Sequence, residues 1–407
     1  MTLRRATYRF VGRAILCGSI LGAPAQTMQQ PLLQFDLTRP PTLYSDAAGY
    51  GFEAIPAQPP YYFSIKVPEE GNYRVTVTLG DPDADSVTTV KAELRRLMLE
   101  RVHVPAGHIE TRSFVVNVRT PKIAGDGEVH LKDRERTSEA RAWDDRITLE
   151  FTDTYPAVRA VEIEKAGNIP TIYIAGDSTS TDQPLEPYNS WGQMLTRFFA
   201  PDIAVANHGE SGESLRGFMG ENRLAKLMSV IKPGDYLFIQ MGHNDQKEKG
   251  EGVGPFTTYK VDLQRFVSEA RQHGATPVLI TPVHRLTFDV AGRIVNSLGA
   301  YPEAVRQTAT EGNVALIDLN AMSKLFYEAL GPVEAHVAFA GQDTTHHSDY
   351  GSYELAKCIV EGIRQTGLPL VKYLLDAPPF DPAHPDPFSK FDIPPEPASN
   401  AARPYGQ

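Results

Sequence analysis

The chain has 407 residues, of which 41% are hydrophobic and 22% are charged, and its formal net charge is −10. This length allows two compact domains, and the composition is that of an ordinary globular protein. The negative charge argues against nucleic acid or an anionic membrane surface as the main partner. An anionic polymer would therefore have to be met by local basic residues.

Residues 1–25 have the pattern of a secretory signal peptide. Four arginines in the first 13 residues precede an apolar stretch over residues 14–25 that is too short to span a bilayer. The stretch ends in Ala23-Pro24-Ala25, which fits a small-x-small cleavage site. We therefore expect a secreted or periplasmic protein that has no contact with the membrane after cleavage. Cys358 would then be the one remaining cysteine, so no intrachain disulfide can form.

Residues 31–166 are predicted to form an all-β sandwich. Hydrophobic and polar residues alternate over residues 73–79 and again over residues 147–151, which is the period of a half-buried strand. Residues 61–67, 87–104 and 113–119 are further strand candidates, with turn signals between the strands. Short strands at this spacing favour a sandwich over a helical domain.

Residues 168–375 change to strands that alternate with helices, which predicts a doubly wound α/β domain with a parallel sheet. The pattern indicates strands over residues 171–175, 203–206, 236–240, 277–280 and 314–317. It indicates helices over residues 191–199, 215–231, 259–273 and 353–364. Residues 376–407 are rich in proline and are predicted to form an extended tail, with Phe380, Phe388 and Phe391 available to pin it to the surface.

Four polar clusters fall at strand ends of the α/β segment or just before its last helix. They are Gly176-Asp177-Ser178-Thr179, Asn207-His208-Gly209-Glu210-Ser211-Gly212, Gly242-His243-Asn244-Asp245 and Asp343-Thr344-Thr345-His346. Ligands of open α/β sheets bind outside the carboxyl ends of the strands, so we expect these clusters to converge.

Ser178, His346 and Asp343 are candidates for a catalytic triad. A serine hydroxyl needs a base to take its proton, and a histidine three residues after an aspartate can be held by that carboxylate. His347 is the rival base, at a less suitable spacing from Asp343. Taken alone, the motif around Ser178 favours a capping residue over a nucleophile.

The oxyanion hole of such an enzyme needs hydrogen-bond donors aimed at the developing negative charge. The candidates are the backbone N–H of Ser178, the N–H of Gly212, which has no Cβ in the way, and the side-chain amide of Asn244. Ser211 is not an α/β-hydrolase nucleophile, because Glu213 stands where that elbow needs a glycine.

A metal-dependent hydrolase is the alternative chemistry. Its possible ligands are His243, Asp245, His284, Asp343, His346 and His347. The chain lacks the H-E-x-x-H and H-x-x-x-H spacings of zinc sites and has no paired cysteines, so the signal for a metal is weak.

The four blocks together resemble those of SGNH hydrolases, in which Ser, Gly, Asn and D-x-x-H occur in this fixed order. Three segments are similar in sequence to segments of rhamnogalacturonan acetylesterases. They are Gly176-Asp177-Ser178-Thr179, Gly242-His243-Asn244-Asp245-Gln246 and Thr281-Pro282-Val283-His284-Arg285. The similarity runs from about residue 170 to residue 375. It implies a flavodoxin-like three-layer α/β/α fold, no metal or other cofactor, and an acyl-enzyme on Ser178.

The resemblance implies an acetylated polysaccharide as substrate, most specifically the rhamnogalacturonan backbone of pectin. Relatives often carry an arginine directly after the glycine of the second block, where this chain has Glu213 after Gly212. Because that polymer is anionic, Arg216, Arg223 and Arg285 are candidate partners for its carboxylates. The alternatives are acetylxylan or small acetyl esters, and a non-catalytic carbohydrate-binding protein.

The β-sandwich ahead of the esterase segment resembles a galactose-binding-like module. Its aromatic side chains are either part of the core or a stacking surface for sugars, and fold alone does not decide between the two. The candidates are Tyr44, Tyr50, Tyr61, Tyr62 and Trp143.

Overall fold

The computed structural model describes residues 33–376 and 378–396. The predicted signal peptide and the end of the predicted tail lie outside the described residues. The described residues belong to one compact unit of the chain. No helix within this part of the chain is long and apolar enough to cross a membrane.

Residues 33–165 form nine strands in two antiparallel sheets. The strands are β1 (Leu33–Asp36), β2 (Tyr50–Phe52), β3 (Tyr61–Lys66), β4 (Gly71–Leu79), β5 (Ser86–Ala92), β6 (Arg96–Val104), β7 (Glu110–Val118), β8 (Arg146–Tyr155) and β9 (Val158–Lys165). One sheet has the order β1-β9-β4-β7 and the other β2-β3-β8-β5-β6. Inward-facing side chains of both sheets, such as Val75 and Leu149, share one apolar cluster. This is the packing of a sandwich, in which alternate residues of each strand fill the space between the sheets.

The single strand predicted over residues 87–104 is wrong, because two strands of a hairpin occupy this stretch. The chain turns between β5 and β6 at Glu93, Leu94 and Arg95, and Glu93 and Arg95 have φ values of 58° and 60°. The sequence signals of a turn are glycine and proline, and neither residue occurs there.

The second half of the chain contains a five-stranded parallel sheet of order β11-β10-β12-β13-β14. Its strands are β10 (Thr171–Gly176), β11 (Ala204–Asn207), β12 (Tyr236–Gln240), β13 (Thr276–Ile280) and β14 (Ala315–Ile317). Counted within the sheet the order is 2-1-3-4-5, which is the flavodoxin-like order of doubly wound sheets.

Helices cover both faces of this sheet. They are α1 (Trp191–Leu195), α2 (Leu215–Gly220), α3 (Arg223–Val230), α4 (Lys260–Gln272), α5 (Tyr301–Gly312), α6 (Leu319–Glu334) and α7 (Asp349–Thr366). Ile172 and Ile174 of β10 face a cluster with side chains of α1, α6 and α7. The alternate residues Tyr173 and Ala175 face a second cluster with α2 to α5. The result is a three-layer α/β/α arrangement.

Several predicted helix boundaries differ from the observed ones. The helix predicted over residues 215–231 is two helices, because Asn222 takes a left-handed conformation with φ 62° and interrupts the hydrogen bonding. Helices α5 and α6 have no counterpart among the predicted elements. The helix predicted over residues 191–199 ends as an α-helix at Leu195 and continues as a 3-10 turn to Phe198.

The described part of the tail runs over the surface of α7 without forming a layer of its own. The rings of Phe388 and Phe391 lie 5.3 Å and 5.8 Å from the ring of Tyr350. Glu396 accepts a hydrogen bond of 2.8 Å from the Arg95 guanidinium. Aromatic contacts and ion pairs therefore hold this proline-rich segment against the fold.

Candidate active site

Ser178 lies at the carboxyl end of β10, the first strand of the parallel sheet, and its side chain is buried. The Asp177 carboxylate accepts hydrogen bonds from the N–H and the hydroxyl of Thr179, at 3.0 Å and 2.7 Å, and so fixes the turn that follows the strand. A Cβ at Gly176 would overlap the Ser180 hydroxyl, so the turn requires glycine there.

The structure brings Ser178, His346 and Asp343 into one hydrogen-bonded row. His346 Nε2 lies 2.9 Å from Ser178 Oγ, and His346 Nδ1 lies 2.9 Å from Asp343 Oδ2. The imidazole therefore has one nitrogen on the carboxylate and the other on the hydroxyl. This is the geometry in which a histidine can take the proton of a serine.

The Asp343 carboxylate is held in its charged form. Burial favours the neutral acid, but hydrogen bonds from the His346 ring and from the N–H groups of His346 and Thr345 hold the pKa of Asp343 well below its usual range. A permanently charged carboxylate keeps the proton of His346 on Nδ1 and leaves Nε2 to accept.

His347 has a different environment from His346. Its Nε2 lies 2.7 Å from the Tyr327 hydroxyl, and its ring packs against Phe339 at 4.7 Å. Burial lowers the pKa of His347 to about 3. The ring is thus a neutral part of the core beneath the site, which leaves His346 as the histidine in contact with Ser178.

The predicted oxyanion residues come from three separate loops. Gly212 has φ +85°, a conformation that glycine adopts without strain. The Asn244 amide donates a hydrogen bond of 2.9 Å to the carbonyl oxygen of Glu213, and Asp245 Oδ1 accepts one of 2.9 Å from the N–H of Leu215. The third block therefore holds the segment that directly follows Gly212.

A cavity of ≈ 610 Å³ opens beside Gly212, and part of its wall comes from the loop between β7 and β8. Lys132 of that loop donates to the Ser211 carbonyl oxygen at 3.0 Å and pairs with Glu213. Arg134 also donates to the Ser211 carbonyl oxygen, at 2.5 Å. No local motif in the sequence marks these residues, because they reach the segment around Gly212 through the packing of the two halves of the chain.

The three candidate arginines lie in very different positions. Arg223 is fully buried and donates to both carboxylate oxygens of Glu135 at 2.9 Å and 2.6 Å, so it cannot meet a substrate carboxylate. Its prediction as a substrate-binding residue is wrong, because a buried guanidinium with a complete set of partners is a structural group. Arg216 is half-exposed and lies 3.0 Å from Asp262.

Arg285 remains near the site. The Gln246 amide is oriented so that its oxygen accepts hydrogen bonds from Arg285 Nη1 and Nη2, at 2.8 Å and 2.7 Å. Burial lowers the pKa of Arg285, and the charge of Asp177 opposes that shift. Arg285 is therefore the candidate that lies close to the strand ends and is still partly open to solvent.

The side chains considered as metal ligands do not gather around one point. His243 Nδ1 lies 3.2 Å from the Asp177 carboxylate, and burial lowers the pKa of His284 to about 4. Within residues 33–376 and 378–396, no group of three or more His, Cys, Asp or Glu side chains is arranged to hold a metal ion.

The aromatic side chains of the β half divide between core and surface. Trp143 is buried, with the Arg119 guanidinium 4.5 Å from its ring. Tyr44 and Tyr62 lie under the guanidinium groups of Arg146 and Arg141. Tyr61 is half-buried, whereas Tyr50 is 38% exposed and lines a cavity of ≈ 550 Å³ in this half.

Comparison with known proteins identifies the family to which the chain belongs. Residues 174–353 match the model of the GDSL-like lipase/acylhydrolase family. The rhamnogalacturonan acetylesterase RhgT of Bacillus subtilis is 41% identical over 219 residues, which are 50% of this chain and 94% of the relative. The probable rhamnogalacturonan acetylesterase YesY of the same organism is 40% identical over 216 residues, 50% of this chain and 97% of the relative.

A crystal structure of the Bacillus subtilis protein YxiM covers 80% of this chain and 93% of its own, at 24% identity and a TM-score of 0.48. The ordered blocks and the two relatives of about 40% identity agree on the family. The chain belongs to the GDSL-like (SGNH) hydrolases, a family of carboxylic ester hydrolases, and within it to the group that resembles rhamnogalacturonan acetylesterases.

Proposed function

We propose that the protein is a serine carbohydrate esterase that removes O-acetyl groups through an acyl-enzyme on Ser178. The observation that carries this proposal is the row of hydrogen bonds from Ser178 Oγ to His346 Nε2 and from His346 Nδ1 to Asp343, each 2.9 Å. Two relatives with about 40% identity are named as rhamnogalacturonan acetylesterases, which supports acetyl groups on a polysaccharide as the substrate.

In the first step His346 takes the proton of Ser178 Oγ while the oxygen attacks the acetyl carbonyl carbon. The carbonyl oxygen becomes an oxyanion, for which the N–H groups of Ser178 and Gly212 and one N–H of the Asn244 amide are the proposed donors. An amide carries two N–H bonds, so Asn244 keeps one donor beside the one it gives to Glu213.

Collapse of this intermediate breaks the bond to the sugar oxygen, and the protonated His346 gives its proton to that leaving oxygen. Water then attacks the acetyl-Ser178 ester, with His346 as the base, and acetate leaves. Asp343 stabilises the imidazolium that exists between these transfers. No proton needs to pass to Asp343, because hydrogen bonds hold the pKa of its carboxyl well below that of an imidazolium.

The rhamnogalacturonan backbone is the proposed polymer, and acetylxylan or a small acetyl ester is the alternative. Arg285 is the proposed partner for a carboxylate of the anionic backbone, since it is partly open beside the strand ends. Glu213, which stands where relatives often have arginine, pairs with Lys132. A negatively charged substrate must therefore be recognised at position 213 in a different way than by an arginine.

The proposal includes export of the protein by the segment over residues 1–25, since the polymer is extracellular. It also includes an accessory domain at residues 31–166, a catalytic domain at residues 168–375 and a proline-rich tail at residues 376–407. A galactose-binding-like role for the first of these is supported by its two-sheet architecture and by the exposed Tyr50 beside a cavity.

The test measures acetate released from acetylated rhamnogalacturonan, from acetylxylan and from a chromogenic acetate ester. We expect the wild type to release acetate fastest from rhamnogalacturonan, and Ser178→Ala to lose all measurable release while keeping its thermal unfolding temperature. Undiminished turnover by Ser178→Ala would refute the acyl-enzyme. A preference for acetylxylan would leave the chemistry intact and replace the polymer, and inactivity of the wild type on all three would favour a binding protein.

A further inference from the structure

The turn between β5 and β6 of the sandwich reaches into the catalytic half of the chain. The backbone carbonyl oxygen of Leu94 in this turn accepts a hydrogen bond of 2.7 Å from the Gln193 amide, and Leu97 is part of the core cluster under the parallel sheet. Glu93 and Arg95 hold left-handed conformations that residues other than glycine rarely adopt. Such conformations persist where the surroundings fix them, and they cluster at functional sites.

Arg95 at this turn is 4% exposed and donates to groups from two parts of the catalytic half, besides Glu396 of the tail. Its Nη1 donates to the backbone carbonyl oxygens of Tyr188 at 2.8 Å and Gln183 at 3.4 Å. Its Nη2 pairs with Glu186 and lies 3.3 Å from Asp349. We name residues 183–189, to which Arg95 is bonded along their length, the nucleophile loop.

The nucleophile loop contacts two residues of the proposed triad, Ser178 through its backbone and His346 through its ring. The Gln183 amide donates a hydrogen bond of 2.8 Å to the backbone carbonyl oxygen of Ser178. The Tyr188 ring lies edge-on to the His346 ring, with 6.0 Å between the ring centres. A displacement of this loop would therefore move the nucleophile and the base relative to each other.

The contacts of Arg95 also join the nucleophile loop to the helix that follows the triad histidine. Asp349, at the start of α7, accepts a hydrogen bond of 2.7 Å from the Asn189 amide as well as lying against Arg95. The N–H of Asn189 donates to the carbonyl oxygen of His347 at 2.9 Å. Arg95 thus bridges the segment after Ser178 and the segment after His346.

The next residue, Arg96 at the start of β6, supports the loop from its other end. Arg96 Nε donates to Asp182 Oδ2 at 2.7 Å, and Asp182 Oδ1 accepts from the Asn207 amide at 2.8 Å. Asp182 directly precedes the nucleophile loop, and Asn207 opens the second sequence block. The sandwich therefore contacts the surroundings of the first, second and fourth blocks through two adjacent side chains.

We propose that Arg95 is a positioning residue for the reaction, and that it holds the nucleophile loop so that Ser178 and His346 stay aligned. This inference rests on the proposed esterase function. It makes the β5–β6 hairpin of the sandwich an integral part of the active site, distinct from any role of the sandwich in binding sugars. Misplacement of reacting groups by about 1 Å can cost about 10²-fold in rate, so the effect should appear in turnover.

The test compares Arg95→Met with Arg95→Lys and with the matched control Arg74→Met. Arg74 also joins the two halves, through an ion pair of 3.3 Å with Asp202, but it contacts neither the nucleophile loop nor the triad. The measurements are kcat and KM on a small chromogenic acetate ester, together with thermal unfolding of each variant. A small ester removes any contribution of polysaccharide binding from the comparison.

We expect Arg95→Met to lower kcat by about 10-fold to 100-fold with KM within a factor of about three. Arg95→Lys should recover part of this loss, because an ammonium keeps the charge but cannot donate to the Tyr188 carbonyl and the carboxylates together. Arg74→Met should retain wild-type kcat. Equal kcat for folded Arg95→Met and wild type would overturn the inference, as would an equal loss in Arg74→Met.

If Arg95→Met fails to fold, Gln183→Met and Tyr188→Leu decide the question. They remove the contacts of the loop with Ser178 and with the His346 ring, and they leave the ion pairs of Arg95 with Glu186 and Asp349 in place. Unchanged kcat in both variants would overturn the inference. An inactive wild type would instead refute the proposed function, so the two failures are distinguishable.

Discussion

The side-chain amide of Asn244 donates a hydrogen bond of 2.9 Å to the backbone carbonyl oxygen of Glu213. Glu213 directly follows Gly212, so this bond fixes the third sequence block against the second. It sets the distance between two of the three proposed oxyanion donors before any substrate arrives. A preorganised pair of donors costs no rearrangement when charge develops on the substrate oxygen.

Asn244→Ala should lower kcat on a chromogenic acetate ester by about 10²-fold to 10³-fold. The substitution removes one donor to the oxyanion and also frees the loop at Gly212. The effect should fall on kcat more than on KM, because the donor is needed where negative charge develops. Steady-state kinetics of the folded variant provide the measurement, and a loss below about tenfold would contradict this role for Asn244.

The two adjacent histidines allow a matched pair of variants. His346→Gln should lower kcat by about 10⁴-fold or more, because no other base contacts Ser178 Oγ in the described site. His347→Gln removes a ring that is bonded to Tyr327 in the core, so it should lower the unfolding temperature and leave most of the activity per folded molecule.

The readout for this pair is kcat corrected for the folded fraction, with circular dichroism as the check on folding. Equal losses of kcat in the two variants would contradict the assignment of His346 as the base. A larger loss in His347→Gln would transfer the role to His347.

Asp245 should make the protein less stable as the pH rises. Burial raises the pKa of Asp245 to about 8, while its hydrogen bond from the N–H of Leu215 opposes this shift. The unfolded chain ionises this carboxyl near pH 4, and the folded chain does so near pH 8. The neutral Asp245 carboxyl therefore stabilises the folded protein fully below about pH 4, and this stabilisation is lost progressively as the pH rises to about 8.

Asp245→Asn should remove this part of the pH dependence. The amide cannot ionise, and its oxygen can still accept from Leu215. Urea unfolding at pH 5, 6.5 and 8 measures the effect, with an expected gain of the variant over wild type of roughly 1 kcal/mol per pH unit across this range. A constant difference at the three pH values would show that the carboxyl is already ionised in the folded protein.

The sequence predicted the parallel sheet well because its strands are short apolar runs that end in polar clusters. Ser178, Gly212 and Asn244 lie in such clusters, whereas Asp343 lies in the polar cluster before the last helix, and the fixed order of the four clusters indicates the family. The roles of these residues remain predictions, although the structure brings Ser178, His346 and Asp343 into hydrogen-bond contact.

The features that the sequence could not predict depend on contacts between distant residues. Arg95 occupies a turn without glycine or proline, and its partners lie about 90 to 300 positions further along the chain. Lys132 and Arg134 reach the Ser211 carbonyl oxygen from the sandwich in the same way. The burial of Arg223 is not evident from the sequence, because a charged residue on an amphipathic helix is usually exposed and this burial depends on the matching carboxylate of Glu135.

Arg223 should matter for stability and Arg216 should not. Arg223→Met leaves Glu135 buried without its partner, which should lower the free energy of unfolding by about 3–5 kcal/mol. Arg216→Met removes a half-exposed pair and should cost less than about 1 kcal/mol. The double variant Arg223→Met/Glu135→Gln should recover part of the loss, because no buried charge is then left unpaired. Urea unfolding measures all three, and a loss below about 1 kcal/mol for Arg223→Met would mean that water or another cation can neutralise Glu135.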